Sequence, residues 1–253
     1  MIYFVGAGPG DIELITVKGQ RLLKTADLVI YAGSLVNPAL LNECKEECII
    51  LDSAMMTLEE VIKAMVEEEM KGEDRVVVRL HTGDPSIYGA IREQMDLLDE
   101  RTLKYEVVPG VSSFCGAAAA LKKEYTLPNV SQTVILTRME GRTPMPPKEE
   151  LSMLASHQAT MIIFLSVSLA KEVEERLIKG GYREDTPIAI VYKATWPEEK
   201  IYKGELNQLS HIIAENHITK TALIVVGDFL GDTYERSKLY DPGFTHMFRE
   251  AIK

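Results

Sequence analysis

Three short segments of this chain put polar and conformationally permissive residues where ligand chemistry is commonly done. The first, Val5-Gly-Ala-Gly-Pro-Gly-Asp11, follows an apolar run, and its glycines allow a tight turn and close approach of backbone to a ligand. The second is Arg79-Leu-His-Thr-Gly-Asp-Pro-Ser-Ile-Tyr-Gly89. Within it, Asp84 is placed either to cap a following helix, with Pro85 at the first helical position, or to accept hydrogen bonds from a ligand. The third, Val108-Pro-Gly-Val-Ser-Ser113, leads into a run of small residues at 116–120. The first segment departs from the dinucleotide fingerprint GxGxxG. Gly6, Gly8 and Gly10 alternate, Pro9 lacks an N–H, and Asp27 precedes its strand instead of closing it. A plain turn, a dinucleotide site and a loop facing another ligand all remain open for it.

These segments need elements to position them, and the pattern supplies an α/β series. Ile2–Val5, Leu28–Tyr31, Ile49–Leu51 and Arg75–Leu80 read as buried strands, and Thr16–Lys24, Thr57–Lys71 and Ser86–Glu100 as helices. Thr57-Leu-Glu-Glu60 is a capping-box arrangement, and Lys71-Gly72 closes that helix. A second series follows, with strands at Thr133–Thr137, Met161–Ser166, Ile188–Tyr192 and Leu223–Val226. Its helices fall near Lys148–Ser156, Leu169–Lys179 and Gly204–Asn216. Leu127-Pro128-Asn129 breaks periodicity between the two series. The expectation is two α/β lobes in series, 1–121 and 122–253 with a C-terminal tail. Each would have a central sheet flanked by helices, parallel in the first lobe by its strand–helix alternation, with the ligand in the cleft between lobes.

Composition narrows the function. The chain has 253 residues, 46% of them apolar, and a formal net charge of −10. That is too apolar for disorder and too acidic for a sequence-independent nucleic-acid binder. Residues 1–120 carry 11 Lys+Arg against 20 Asp+Glu, or −9, and residues 121–253 carry 17 against 18, or −1. Cys44, Cys48 and Cys115 form neither a CxxC pair nor a metal-ligand pattern, so no metal site is expected. No apolar stretch is long enough to span a bilayer, and no signal peptide is visible, so no membrane association and a cytoplasmic location are expected.

Taken together and in that order, GAGPGD, TGDPxxYG and PGVSS, with the later stretches below, resemble the tetrapyrrole methylases, S-adenosylmethionine-dependent enzymes of corrin and sirohaem synthesis, essentially over the full length. Four further stretches are similar to one branch, which methylates C-11 of precorrin-4 or its cobalt form. They are Tyr31-Ala-Gly-Ser-Leu-Val36, Thr137-Arg-Met-Glu-Gly-Arg-Thr-Pro-Met-Pro146, Tyr192-Lys-Ala-Thr-Trp-Pro197 and Leu239-Tyr-Asp-Pro-Gly-Phe-Thr-His-Met-Phe-Arg249. The resemblance implies S-adenosylmethionine as cofactor, held by Pro9, Thr82, Gly83, Asp84, Ile87, Ser112, Ser113, Leu165, Ala194, Thr221 and Ala222. Thr82 and Leu165 depart from the family, which often has glycine and methionine there. The resemblance also implies a homodimer. Methylation at C-20 or C-17, or of uroporphyrinogen III, are alternatives within the family. A nucleotide-binding oxidoreductase and a non-catalytic cofactor-binding module are alternatives outside it.

A sulfonium methyl is electrophilic and the ring carbon is enamine-like, so direct displacement needs alignment above all, worth about 7–11 kcal/mol in well-oriented systems. A base for later proton loss is not identified; Asp84, His81 and Glu140 are the candidates. The tetrapyrrole is a polyanion, and carboxylates call for cationic donors. Arg138 and Arg142 are the expected anchors, with Lys193 as a weaker one, in the near-neutral second lobe. Arg79, inside an apolar strand, is expected to pair with a buried acid.

Overall fold

The computed structural model describes residues 1–141 and 143–251, which form two compact units. The first comprises residues 1–117 and, unexpectedly, the distant segment 193–199; the second comprises the described residues of 118–192 and 200–251. The sequence boundary at 121/122 thus lies within four residues of the contact boundary, but continuity along the chain hid the transferred segment.

In the first unit, β1 (Ile2–Gly6), β2 (Leu28–Tyr31), β3 (Ile49–Asp52), β4 (Val77–His81) and β5 (Tyr105–Val108) form an all-parallel sheet in the order β3-β2-β4-β1-β5. Alternation along β1 sends Ile2 and Phe4 to one face and Val5 to the other. α1 (Val17–Thr25) buries Leu22 and Leu23 against the Val5 face. α2 (Leu58–Glu69) and α3 (Arg92–Asp99) bury Val61, Ile62, Met65 and Leu98 on the opposite face. The Thr57–Glu60 capping box forms as expected. The helix read over Ser86–Glu100 does not: residues 85–88 form a turn, 89–91 are irregular, and α3 begins at Arg92. α4 (Ser113–Leu121) leads out of this unit.

The second unit also has a five-stranded central sheet, and its strands run in mixed directions. β6 (Val134–Arg138), β7 (Thr160–Phe164), β8 (Pro187–Tyr192), β9 (Lys200–Glu205) and β10 (Ala222–Val226) are ordered β6-β7-β10-β8-β9, and only β6–β7 is parallel. β9 escaped notice because it reads Lys-Ile-Tyr-Lys-Gly-Glu, an edge strand whose apolar residues are too few to stand out. It pairs antiparallel with β8 across the short 193–199 segment, leaving no room for the crossover helix a parallel pair needs. α5 (Leu151–Ala155), α6 (Ala170–Lys179) and α7 (Leu209–Glu215) cover one sheet face. They pack Leu151, Val173, Leu177 and Leu209 on Met161, Ile163, Ile190, Ile224 and Val226. Among the described residues, no helix is long and apolar enough to cross a membrane.

Candidate active site

The three segments singled out in the sequence meet at the carboxyl ends of β4, β1 and β5, which are adjacent in the first sheet. Their glycines are required by this approach. A Cβ on Gly6 would stand 2.5 Å from Gly110 Cα and 2.6 Å from the Gly83 carbonyl oxygen; one on Gly110 would stand 2.2 Å from that same oxygen. Gly8 and Gly83 adopt φ of 79° and 59°, and they exchange backbone hydrogen bonds of 3.3 and 2.8 Å. Asp84 ties the second loop to the third. One carboxylate oxygen accepts from the Gly110 N–H at 2.8 Å, and the other from the Ser86 N–H at 2.8 Å and from the Ser86 hydroxyl. Burial pushes the Asp84 carboxyl up, but these donors outweigh it and hold it below its ordinary value. Asp84 therefore caps a turn that spans two loops; it does not cap α3. Ser112 is buried, and its carbonyl receives the Cys115 and Gly116 N–H groups as α4 begins.

The glycine loop does not run directly into a helix. A 3-10 turn over Ile12–Leu14 intervenes, and α1 starts at Val17, capped by the Thr16 hydroxyl. The pyrophosphate cradle of a dinucleotide fold needs a helix N-terminus at the loop, and here that geometry is missing. Asp27 likewise serves structure: Lys45 lies 2.6 Å and Arg75 3.0 Å from it, and it accepts from the Val76 N–H at 2.8 Å.

Segment 193–199 lies on the glycine loop. The Trp196 indole N–H donates to the Pro9 carbonyl at 2.9 Å, and the Asp11 N–H donates to the Thr195 hydroxyl at 3.0 Å. The Asn37 side chain donates to the Gly10 carbonyl at 2.8 Å from within the first unit's own chain. Ala194 is buried between Lys193 and Thr195, whose φ values are 47° and 70°. Lys193 Nζ sits 4.9 Å from the centre of the Trp196 ring and 3.6 Å from the Glu198 carboxylate. Sequence reading placed Ala194 and Lys193 among the site residues and included Thr195 and Trp196 only as part of the 192–197 stretch, while Asn37 had no signal at all. Trp196 is the chain's single tryptophan and lies in the family-like stretch 192–197, but its partner is 187 positions away, so its contact left no trace in local spacing.

The base candidates occupy unlike settings. His81, at the end of β4, is 4% exposed with no hydrogen-bond partner for Nε2; burial, with Arg79 adding to it, pushes its imidazole down to about 3. Glu140 is bound 2.9 Å from Arg176, which also pairs with Glu150. Arg79 corrects the expected pairing with a buried acid. Its guanidinium donates to the Ile30 carbonyl at 3.0 Å and to the Gln94 amide oxygen at 3.2 Å, and burial pulls it down to about 10. Its neighbours on strand β2 and helix α3 offer neutral acceptors, which strand patterning alone does not reveal.

In the second unit, one end of the sheet gathers the remaining residues. Arg138 pairs in register with Phe164, which immediately precedes Leu165, and Ala222 pairs with Tyr192. Leu165 is 65% exposed at φ 54°, and Thr221 has φ 56°. The Arg138 guanidinium donates to the carbonyls of Met139, Thr143 and Pro144 at 3.2, 3.3 and 2.9 Å, so it shapes its own loop with part of its donor fork. Arg142 lies outside the described residues.

The left-handed non-glycine residues are informative as a set. Lys122, Gln158 and His217 follow helices, where such a conformation is ordinary. Leu165, Lys193 and Thr221 instead sit at strand ends and Thr195 within the segment 193–199, beside or among the residues expected to hold a cofactor.

Residues 1–210 match the family profile of the Tetrapyrrole (Corrin/Porphyrin) Methylases. The chain is 54% identical to a cobalt-precorrin-4 C(11)-methyltransferase of Methanocaldococcus jannaschii, over 100% of this chain and 97% of that protein. It is 44% identical to a precorrin-4 C(11)-methyltransferase of Mycobacterium tuberculosis, over 94% of this chain and 95% of that protein. A crystal structure of a cobalt precorrin-4 methyltransferase, described as a cobalamin biosynthetic enzyme, superposes with a TM-score of 0.88 at 49% identity, covering 91% of this chain and 96% of that one. With a match across most of its length and close relatives over all of it, the chain belongs to the tetrapyrrole methylase family.

Proposed function

We propose that this protein transfers the methyl group of S-adenosylmethionine to C-11 of precorrin-4 or its cobalt form in cobalamin synthesis, acting in the cytoplasm as a homodimer. The observation that carries this reading is likeness over the whole chain, at 54% identity, to an enzyme named for that reaction. The chemistry of the residues supports it. The eleven proposed cofactor contacts (Pro9, Thr82, Gly83, Asp84, Ile87, Ser112, Ser113, Leu165, Ala194, Thr221 and Ala222) include no lysine or arginine and one carboxylate. Such a set suits a ligand carrying a sulfonium cation, with hydroxyls of Thr82, Ser112, Ser113 and Thr221 for its polar groups and apolar side chains for its adenine. The same set is poor for a dinucleotide, whose phosphates call for cations or a helix N-terminus.

Bound S-adenosylmethionine supplies an electrophilic methyl group, so the protein's task is to hold and align. Asp84 keeps the second and third loops together, and its engagement with three donors leaves it a bracing group, not a base. His81 is neutral at physiological pH and buried, and Glu140 is committed to Arg176. No side chain of the described residues is thereby assigned as a base, and water is the proton acceptor we assign after C–C bond formation. Arg138, with fork donors beyond those bound to its loop, and Lys193 are assigned to the substrate's carboxylates, with Arg142 proposed alongside them. Support for the dimer comes from apolar side chains on the tail: Tyr240, Met247 and Phe248 are more than 80% exposed.

The deciding experiment supplies isotopically labelled S-adenosylmethionine with metal-free and with cobalt-loaded substrate, and locates the new methyl by mass spectrometry and NMR. Label at C-11 is expected; label at another carbon, or none, refutes the proposal.

A further inference from the structure

The segment 193–199 interrupts the second unit's sheet between β8 and β9, yet its contacts belong to the first unit. Two hydrogen bonds fasten it to the glycine loop, from Trp196 Nε1 to the Pro9 carbonyl and from the Asp11 N–H to Thr195 Oγ1. Steric fit is equally specific. A Cβ on Gly10 would stand 2.0 Å from Trp196 Cδ1, so the indole occupies the space that a side chain at position 10 would take. A Cβ on Gly116 would meet Pro9 Cβ at 2.9 Å and Thr195 Cγ2 at 3.1 Å, so Thr195 and Pro9 both pack on the start of α4. The segment is itself braced, since Glu199 accepts from the Thr195 N–H at 2.6 Å. A β-branched residue at φ 70° is strained unless its surroundings hold it there.

We propose that Trp196 and Thr195 are positioning residues: they hold the glycine loop and Ala194 in the conformation that receives the cofactor before it arrives. This inference rests on the S-adenosylmethionine reading above. Neither side chain needs to touch the reacting atoms. Their effect is preorganisation, because a loop already held in its bound shape loses less freedom on binding. Pro9 is the link, with its ring against Gly116 and its carbonyl on the indole, so freeing Trp196 frees the residue proposed to lie beside the cofactor.

The test uses Trp196→Phe, which keeps an aromatic ring over Gly10 and removes the donor to Pro9. It also uses Thr195→Val, which keeps the methyl against Gly116 and removes the acceptor for Asp11. By calorimetry, each is expected to weaken S-adenosylhomocysteine binding about three- to tenfold, the worth of one hydrogen bond. The KM for S-adenosylmethionine should rise in parallel, while the KM for the tetrapyrrole stays within about twofold of wild type, and Thr195→Ser should restore binding. Unchanged S-adenosylhomocysteine affinity in both variants, or an equal rise in the tetrapyrrole KM, overturns the inference. The single tryptophan adds a ligand-free readout. Thr195→Val should shift Trp196 emission to the red as the indole leaves the loop, and an unshifted spectrum counts against the docking itself. Failure of the wild-type protein to bind S-adenosylhomocysteine would instead refute the proposed function, and the emission arm does not depend on that result.

Discussion

Replacing Asp84 with asparagine tests whether the junction of strand-end loops depends on that carboxylate. An amide oxygen can satisfy only one of the two backbone donors at Ser86 and Gly110, each now 2.8 Å from a carboxylate oxygen; the amide nitrogen must face the other. One donor losing its acceptor costs about 1–3 kcal/mol, and the other exchanging an ionised acceptor for a neutral one about 1 kcal/mol. Asp84 is half-buried, so water recovers part of this, and a net loss of about 2 kcal/mol is expected. If the junction opens locally, the loss appears as an S-adenosylhomocysteine Kd about 30-fold weaker. If it opens only with the whole unit, it appears in the urea unfolding free energy. Calorimetry and urea titration of the same preparations separate these cases. Ser86→Ala, which removes the exposed hydroxyl that donates to Asp84 but leaves both backbone donors in place, is the control and should cost about 1 kcal/mol or less in either measurement. The pH dependence has a definite sign. Because the folded carboxyl titrates below its ordinary value, its stabilisation is complete above the unfolded value near 4 and is lost as pH falls through the folded one. Asp84→Asn should therefore flatten part of the acid limb of stability below about pH 4. Binding and stability both within about 0.5 kcal/mol of wild type would refute the reasoning.

Five further outcomes follow from the structure. Gly110→Ala, whose Cβ has only backbone to meet, should cost about 3 kcal/mol or prevent folding; a midpoint in urea near that of wild type would contradict the close approach. Asp27→Asn should destabilise by about 2–3 kcal/mol, less than for a fully enclosed pair because Lys45 and Arg75 are each about a third exposed. Burial raises Asp27 and Glu68, but their cationic partners and hydrogen bonds hold both below ordinary values, so this network too should weaken as pH drops below about 4. His81→Phe should leave kcat within about threefold and stability no lower, since it removes an imidazole nitrogen without a partner; a hundredfold loss would restore His81 as a base. Arg138→Ala should raise the KM for the tetrapyrrole about tenfold while S-adenosylhomocysteine affinity changes less than threefold; equal effects on both would remove Arg138 from the substrate side.

Elements with a strong local signature were legible in the sequence. The apolar runs of β1, β2 and β4, the capping box at Thr57 and the periodic faces of α1, α2 and α6 all stand where pattern placed them. Failures occurred where local signals were weak or overridden. Ser86–Ile91 has a plausible helix start at Asp84-Pro85, but Asp84 spends its second oxygen on Gly110, and residues 88 and 90 take left-handed conformations. Arg79 in an apolar strand suggested a buried acid, but the residues that meet it are a glutamine on α3 and a carbonyl on β2.

By itself, the sequence determined the class of architecture, the order of the loops and the small or hydroxyl-bearing residues within them. Those features depend on residue type and short-range periodicity, and together they were specific enough to resemble one family. Only the tertiary structure decided that the second sheet is largely antiparallel, that Gly6 and Gly110 must be glycines because their backbones meet beside the Gly83 carbonyl, and that Trp196 lies on Gly10. Each of these is a contact between segments far apart in the chain, and spacing along a sequence carries no record of which distant backbone will fill the space beside a glycine.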